Sequence, residues 1–408
     1  MEMALGTTQY AGDMQMHGML HARILWAGVP HAIIRAIDTT EARKVPGVRA
    51  VLTAADIPGI NRYGLAVQDQ RVLADDKVRT AADPVALVAA ETEEDAEEAL
   101  FKIKVDLKPL RPILSIEEAL DPAAPAIHEG GNIFQHTKVR KGDLDRGIRE
   151  SDVIVESTYR THRMDHAALE PEAGLAYLDP SGVLTIVSST QYPFRDRRQI
   201  APALNLDMNK VRVVQASIGG GFGRKDDITV EIHVGLLALK TRRPVRLVYT
   251  REDSLIANTK RHPMLMKFRT GARSDGRLTF VDGDIYGDTG AYASLGPFVV
   301  KKAGIHACGP YYVPNIRVDT YTLYTNNLTS GAMRGFGVLQ AAVAHESQMD
   351  RLARRLGISP MEIRLINTLK PGLTSATGQV MNEGCGIEET LRRIKGYMES
   401  HSLRFSRS

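Results

Sequence analysis

The segment ASIGGGFGRKDD, residues 216–227, constrains the fold more than any other part of the sequence. It follows an apolar run that ends in VRVVQ and precedes a helical pattern that begins ITVEIHVGLLALK. Consecutive glycines let the backbone turn sharply, and amide groups near a helix N-terminus attract anionic oxygens. The pattern therefore predicts a strand, a glycine loop with open amide groups, and a helix from about Ile228 to Thr241.

The spacing of this loop excludes the two common nucleotide motifs. Counted from Gly219, a P-loop would place its second glycine at position 224, where arginine stands. Its lysine would then precede Ser or Thr, but Lys225 precedes Asp226. The dinucleotide fingerprint would need glycine at 224 or 226 and fails in the same way. We expect the loop either to bind another anionic cofactor or only to let strand and helix pack closely.

Length and composition predict a multidomain chain of the α+β class. A chain of 408 residues exceeds one ordinary core. Residues 1–112 alternate short strands and helices and predict a small α/β domain, whereas 113–137 is rich in Pro and Gly and predicts a linker to a second domain at 138–408. Because neither a long apolar run nor a signal-peptide pattern occurs, we expect a cytoplasmic protein without a membrane span.

Cysteine and charge content exclude other classes. The chain has two cysteines, Cys308 and Cys385, whereas an iron–sulfur cluster takes four thiolates. Any cluster that serves this protein is therefore expected on a partner chain. The net charge is +4, and the basic runs are short and interrupted. Nucleic-acid binding is not expected.

Local signals predict several individual elements. They are a helix capped by Thr92, a helix with Pro193 in its first turn, a hairpin at Asp275-Gly276, a helix with an apolar stripe from Val338 to Leu356, and a capping box from Ser359 to Glu362.

Two further loops suggest ligand contacts. NLTSGAMRGFGVLQ, residues 327–340, again places glycines between a strand and a helix, so Arg334 is interpreted as a partner for a phosphate or polar cofactor edge and Phe336 as a stacking surface. In SSTQYPFRDRR, Gln191 lies just beyond a strand end, where ligand-binding side chains commonly stand. Each signal alone is also compatible with a surface contact.

A metal site and a reactive thiol are weaker alternatives. His162, His166 and Glu170 recur at steps of four, which would place them on one helical face. Pro171 would end such a helix and the H-E-x-x-H order is missing, so structural histidines are favoured. Cys385, in NEGCGIEE, is interpreted as buried or incidental.

The three segments SSTQYPFRDRR, GGGFGRKDD and GAMRGFGVLQ, in this order, resemble the molybdenum-binding large subunit of the xanthine dehydrogenase and aldehyde oxidase family. The N-terminal stretch beginning YAGDMQMHGMLHARILW resembles that family's hammerhead-type α/β domain, and MDHAALEPEAGLA resembles its HxxLEP segment. The resemblance implies a hammerhead domain over 1–112 followed by the first molybdopterin-binding domain over 138–408.

The resemblance also implies a chemistry. Members hold molybdenum through molybdopterin and hydroxylate a heterocycle, such as the purines xanthine and hypoxanthine, or an aldehyde, with oxygen taken from water. Electrons pass to iron–sulfur clusters and FAD, which the cysteine content places on partner subunits. The nucleotide form of the pterin stays open, the cytosine dinucleotide being one alternative.

Site residues follow from the resemblance by position. The metal-side residue is Gln191, which resembles the glutamine that hydrogen-bonds an oxygen ligand of molybdenum. The remaining cofactor contacts are Gly221, Phe222, Gly223 and Arg334, and the substrate contacts are Asp226, Lys302 and Phe336. Asp226 stands where purine-converting members have glutamate, and Lys302 where some have arginine, so reach and hydrogen-bond geometry differ.

No catalytic residue is assigned in this chain. The family's base is a glutamate in a G-x-G-E stretch, several hundred residues further on, in a second cofactor-binding domain. GCGIEE, residues 384–389, is interpreted as a helix cap instead. Together with the ending SHSLRFSRS, this predicts a split or truncated subunit that works with a second molybdenum-binding chain. The alternative is a non-catalytic remnant or a cofactor-handling protein.

Overall fold

The computed structural model describes residues 2–401 and contains three β-sheets with helices packed on their faces. In chain order the strands are β1 (Leu20–Trp26), β2 (Ala32–Asp38), β3 (Val48–Leu52), β4 (Lys77–Val78), β5 (Pro84–Ala90), β6 (Lys104–Pro109), β7 (Ile133–Lys141), β8 (Val153–Arg160), β9 (Ala173–Leu178), β10 (Leu184–Ser188), β11 (Val211–Gln215), β12 (Val245–Val248), β13 (Met264–Ala272), β14 (Leu278–Gly290) and β15 (Asn315–Tyr324). The helices are α1 (Glu2–Leu5), α2 (Glu93–Lys102), α3 (Ile116–Leu120), α4 (Leu144–Arg149), α5 (Pro193–Ala203), α6 (Glu231–Thr241), α7 (Arg251–Ala257), α8 (Gly296–Ile305), α9 (Val338–Leu356), α10 (Pro360–Asn367) and α11 (Ile387–Ser400).

A seven-stranded sheet combines strands from the N-terminal region with strands from the middle of the sequence, residues 20–248. Its order is β11-β10-β9-β12-β1-β5-β3. Strand β1 pairs in parallel with β12, with Leu20 opposite Val245, and antiparallel with β5 on its other side. The backbone ladder therefore crosses the expected boundary at residue 112, and that boundary stays a prediction.

Helix α6 fills the core on one face of this sheet. It is apolar over most of its circumference, as expected for a helix surrounded by protein. Its residues Ile232, Val234 and Leu237 are almost completely buried, in one cluster with Leu20 and Leu87. The N-terminal strands thus share a hydrophobic core with the strands that lead to the glycine loop.

The second large sheet has five strands in the order β7-β15-β14-β13-β8. The predicted hairpin joins β13 and β14: the Arg273 amide donates to Arg277 O at 2.9 Å, and Gly276 has φ +85°. Helices α8 and α9 pack on this sheet, with Val300 and Leu352 fully buried in its cluster. The small third sheet has the order β4-β2-β6.

Most of the local predictions are confirmed. Helix α9 has the predicted bounds, and α5 begins at Pro193. The Thr92 side chain accepts from the Asp95 amide at 3.1 Å, and the capping box at Ser359 is formed.

The predicted start of α6 is wrong. The helix begins at Glu231 rather than near Ile228, because residues Arg224–Asp226 form a 3₁₀ turn and Asp227 is extended. The glycine loop therefore does not lead directly into the N-terminus of α6.

The predicted linker is a packed segment. Its α3 helix and the residues around it place Ile113, Ile116 and Ile127 in a buried cluster with Leu265 and Leu323 of the five-stranded sheet. Across residues 2–401 no helix combines the length and hydropathy needed to cross a membrane. The tail from residue 402, which carries most of SHSLRFSRS, lies outside the described residues.

We predict that the seven-stranded sheet unfolds as one unit. Leu20→Ala removes a fully buried side chain from its centre and is expected to lower the free energy of unfolding by about 3 kcal/mol. Trp26, the single tryptophan, lies on β1 and donates to Asp253 Oδ1 at 2.7 Å, so its fluorescence reports on the contact between the N-terminal strands and the middle of the chain. Fluorescence and circular dichroism should give coincident denaturation curves.

Leu5→Ala is the control, since that side chain is 68% exposed and its loss should change little. Separate transitions for Trp26 and for the bulk of the helices would contradict the prediction.

Candidate functional site

Three loops meet at one side of the structure. Strands β10 and β11 are adjacent and parallel, so the loops after them leave the same sheet edge. The main-chain amide of Gln191 donates to Lys225 O at 2.8 Å, and its side-chain oxygen Oε1 accepts from the Gly223 main-chain amide at 3.1 Å. The Arg334 amide, in the loop between β15 and α9, donates to Phe222 O at 3.0 Å. The structure thus brings the three sequence segments into direct contact.

Two glycines are required for this contact. A Cβ atom on Gly221 would lie 2.4 Å from Gln191 Oε1. A Cβ atom on Gly223 would lie 2.8 Å from Ala332 O, and its φ of +105° is also unfavourable for any other residue. The glycine run is therefore explained by the close approach of Gln191 on one side and of the Arg334 loop on the other.

The two Gly-Phe-Gly segments share an unusual backbone. Phe222 has φ +58° and Phe336 has φ +49°, in the left-handed region that bulky residues avoid. Such conformations persist only where the surroundings enforce them, and they cluster at ligand sites. Phe222 is 50% exposed in spite of this cost. Packing does not explain the position of the Phe222 ring, whereas the Phe336 ring also packs against the core of the five-stranded sheet.

Amide groups of the glycine loop remain open. Those of Gly219 and Gly223 donate to the Glu170 and Gln191 side chains. Those of Gly220, Gly221 and Phe222 donate to no protein group within residues 2–401. The loop therefore presents donors to an anionic or polar ligand edge, and it does so without a helix N-terminus behind it.

Buried ion pairs fix the position of the glycine loop. Arg224 is fully buried, and its Nε and Nη2 donate to the two carboxylate oxygens of Glu172 at 2.5 and 2.6 Å. Lys225 Nζ binds Glu170 Oε2 at 2.6 Å, and the same oxygen accepts from the Gly219 amide at 2.7 Å. Glu170 thus links both ends of the loop.

The network extends to the neighbouring Asp165. This carboxylate lies 3.5 Å from Arg224 Nη1 and 2.8 Å from Lys260 Nζ. Three cations therefore face three carboxylates. Burial lowers the pKa of Lys225 and Lys260, and the carboxylate partners oppose that shift. Charge balance is what allows these groups to stay ionised inside the protein.

The acids of this network come from the segment that suggested a metal site. Residues 161–171 form no helix, and Ala167 has φ +51°, so the common face assumed for His162, His166 and Glu170 does not exist. His166 Nε2 instead donates to Ala332 O at 2.7 Å, and burial lowers its pKa to about 4. Within the described residues no group of three or more His, Cys, Asp or Glu side chains has a metal-binding arrangement.

The residues assigned to substrate contact lie around these loops. Burial raises the pKa of Asp226 to about 6, with the charge of Arg195 opposing and that of Asp227 adding to the shift. Lys302, on α8, is exposed, and its Nζ lies 5.7 Å from the centre of the Phe336 ring. A Cβ atom on Gly337 would lie 2.2 Å from Val299 O of the same helix. Helix α8 therefore supports the second loop and places an amine beside its aromatic ring.

Cys385 lies elsewhere. It is half-buried, and its Sγ donates to Leu369 O at 3.4 Å. The next residue, Gly386, is the N-cap of α11, as interpreted from the sequence.

Comparisons with known proteins show the family to which the chain is related. The family model described as "Molybdopterin cofactor-binding domain" matches residues 127–368, and "Aldehyde oxidase and xanthine dehydrogenase, a/b hammerhead domain" matches residues 5–111. The nicotinate dehydrogenase large molybdopterin subunit of Eubacterium barkeri is 46% identical over 395 residues, which cover 97% of this chain and 93% of that protein.

Other relatives are longer. A probable xanthine dehydrogenase subunit of Bacillus subtilis is 43% identical over 366 residues, covering 90% of this chain and 49% of the relative. The solved aldehyde oxidoreductase of Desulfovibrio gigas superposes with a TM-score of 0.95 at 32% identity and covers 98% of this chain and 45% of that one. The chain therefore spans nearly all of one relative and about half the length of these two.

We predict that the Arg224–Glu172 pair is essential for stability. Glu172→Ala leaves a buried guanidinium without its bidentate partner and is expected to lower the free energy of unfolding by about 3 kcal/mol or more. Denaturant titration of the full chain measures the effect. Glu156→Ala, which removes an exposed partner of Arg269, is the control and should change little. Equal effects of the two substitutions would contradict the prediction.

Proposed function

Because the chain belongs to the molybdopterin cofactor-binding family of aldehyde oxidases and xanthine dehydrogenases, we propose that it forms one wall of the active site of a multisubunit molybdenum hydroxylase. The observation that carries the proposal is the contact among the three loops, in which the main chain of Gln191 donates to Lys225 O and its side chain accepts from the Gly223 amide. A loop with only a surface role would not require glycine at position 221, where a Cβ atom would collide with the Gln191 side chain.

The loops fit the cofactor that the family binds. Gln191, Gly221, Phe222, Gly223 and Arg334 would hold it. Gly221 and Phe222 supply open amide donors, Gly223 admits the second loop, Gln191 supplies a fixed side-chain amide and Arg334 a cationic side chain. When bound, the molybdenum cofactor supplies the two-electron oxidation of the substrate carbon. The part of this chain is to orient the cofactor and to form a wall against which the substrate lies. The pterin's nucleotide form, including the cytosine dinucleotide alternative, stays open within this proposal.

The substrate is proposed to be a flat heterocycle. The Phe336 ring offers a stacking face, Lys302 offers a cation beside it, and Asp226 offers a carboxyl group whose pKa is raised to about 6 by burial. The likeness to a nicotinate dehydrogenase subunit supports a ring that carries a carboxylate, for which Lys302 is a suitable partner. Purines such as xanthine and hypoxanthine, and aldehydes, are the alternative substrates.

The remaining parts of the reaction are assigned to other chains. A general base is needed to activate the oxygen nucleophile, and we place it on a second molybdenum-binding chain that closes the pocket. Two cysteines do not suffice for a cluster, so the iron–sulfur centres and FAD are placed on partner subunits. A cytoplasmic location is part of the same proposal.

The test is isolation of the native assembly through a tag on this chain. Stoichiometric molybdenum, together with iron, FAD and a second molybdenum-binding chain, is the expected composition. Turnover of nicotinate, xanthine and benzaldehyde in ¹⁸O-labelled water should label the product of the true substrate. An assembly without molybdenum would overturn the proposal, and a loaded chain that has no partners and turns over none of the probes would favour the non-catalytic alternative.

We predict that Gly221→Ala separates the role of Gln191 from stability. The new Cβ atom meets only the end of a flexible side chain, so Gln191 is displaced while the fold persists. Displacement of an orienting group by about 1 Å is expected to lower kcat by about 100-fold. The matched control is Gly396→Ala on α11, which has open space around its Cβ position. Unchanged kcat in Gly221→Ala would contradict the assigned role.

A further inference from the structure

Arg195 links helix α5 to the turn that follows the glycine loop. It lies in the first turn of α5, four residues after Gln191. Its Nη2 donates to the main-chain oxygen of Asp226 at 2.9 Å and lies 3.9 Å from Asp226 Oδ2. Its guanidinium also lies 3.9 Å from the centre of the Tyr192 ring. Stacking on Tyr192 and the hydrogen bond to the main-chain oxygen of Asp226 limit the movement of the guanidinium, which keeps its charge beside the Asp226 carboxyl.

Asp226 depends on this contact. Its side chain is 11% exposed, and Arg195 is the basic side chain within 4 Å of it among residues 2–401. Its second oxygen, Oδ1, is buried and receives no hydrogen bond from the described residues, and Arg195 Nε is likewise buried without an acceptor. The carboxyl group thus has one oxygen near a fixed cation and one oxygen with spare hydrogen-bonding capacity.

Arg195 is also the shared counter-charge of an acidic cluster. Burial raises the pKa of Asp196, Asp226 and Asp227, and the charge of Arg195 opposes the rise at each of the three. Glu231, which is buried at the start of α6, raises the pKa of Asp196 further. The charge of Arg195 therefore acts on three carboxyl groups, and its loss would raise the pKa of all three.

We propose that Arg195 is a positioning residue that holds Asp226 in place through its main-chain oxygen and keeps the Asp226 carboxyl charged, and that it thereby determines which heterocycles the pocket accepts. The second half of this inference rests on the proposed function, whereas the first half concerns this chain alone. An ionised Asp226 accepts a hydrogen bond from a ring N–H group, and a protonated Asp226 donates one to a ring nitrogen.

Direct titration tests the first half. The full chain, labelled with ¹³C at the aspartate side-chain carboxyl, reports the pKa of Asp226 by NMR, and Asp226→Asn identifies its resonance. Because Arg195 holds that pKa down, Arg195→Gln is expected to raise it above 6 by about one unit. Arg198→Gln, an exposed arginine on the same helix, is the control and should leave it unchanged. An unchanged Asp226 pKa in Arg195→Gln would overturn the proposal.

Ligand discrimination in the holoenzyme tests the second half. Xanthine offers ring N–H groups, whereas the nicotinate ring nitrogen is an acceptor. At pH 7 the partial loss of the Asp226 charge in Arg195→Gln should raise the ratio of the xanthine to the nicotinate KM, or Ki for a probe that is not turned over, by at least about threefold. The molybdenum content should match that of the wild type. Equal ratios in the two proteins would overturn the specificity role.

Two results keep these tests separate from the proposed function. If the native assembly contains no molybdenum, the proposed function fails while the NMR titration still decides whether Arg195 controls Asp226. If Arg195→Gln does not fold, Arg195→Lys keeps the charge but loses the planar guanidinium. It should then keep the Asp226 pKa low and still change the ratio of binding constants, and a wild-type ratio in Arg195→Lys would contradict the positioning role.

Discussion

The buried pairing of Arg224 with Glu172 is the interaction on which the rest of the site depends. A guanidinium without exposure is tolerable only with a bidentate carboxylate, and that requirement locks the turn after the glycines to a segment about fifty residues earlier. Lys225 and Glu170 repeat the arrangement one residue on. Together these ion pairs set the position of the glycine loop, and its open amides and aromatic ring are consequences of that position.

The loops can approach each other closely because two positions carry glycine, which has no side chain. Gln191 reaches the backbone because residue 221 has no Cβ atom, and the two loops touch because residue 223 has none. Helix α8 then supports the second loop through Val299, close to Lys302. The site is therefore a contact between backbones, with a few long side chains placed around it, which suits a large cofactor held along an extended edge.

Local signals in the sequence predicted the local structure well. The stripe of α9, the caps at Thr92 and Ser359 and the hairpin at Gly276 depend on neighbouring residues alone. The features that were not predicted depend on contacts with residues far away in the sequence. The late start of α6 reflects a 3₁₀ turn whose Arg224 and Lys225 pair with residues about fifty positions earlier. The spacing of His162, His166 and Glu170 suggested a helical face, but Glu170 instead pairs with the distant Lys225. Arg195 was missed for the same reason, since in FRDRR it is typical of a solvated basic run.

The central place of β1 has a consequence for biosynthesis. Its parallel neighbour is β12, so the ladder at Leu20 cannot close until Val245 has been synthesised. More than half the polypeptide therefore emerges from the ribosome with an apolar strand edge exposed. Contacts of such long sequence separation slow folding and expose intermediates to aggregation, and we expect chaperone demand to be concentrated on the nascent N-terminal third.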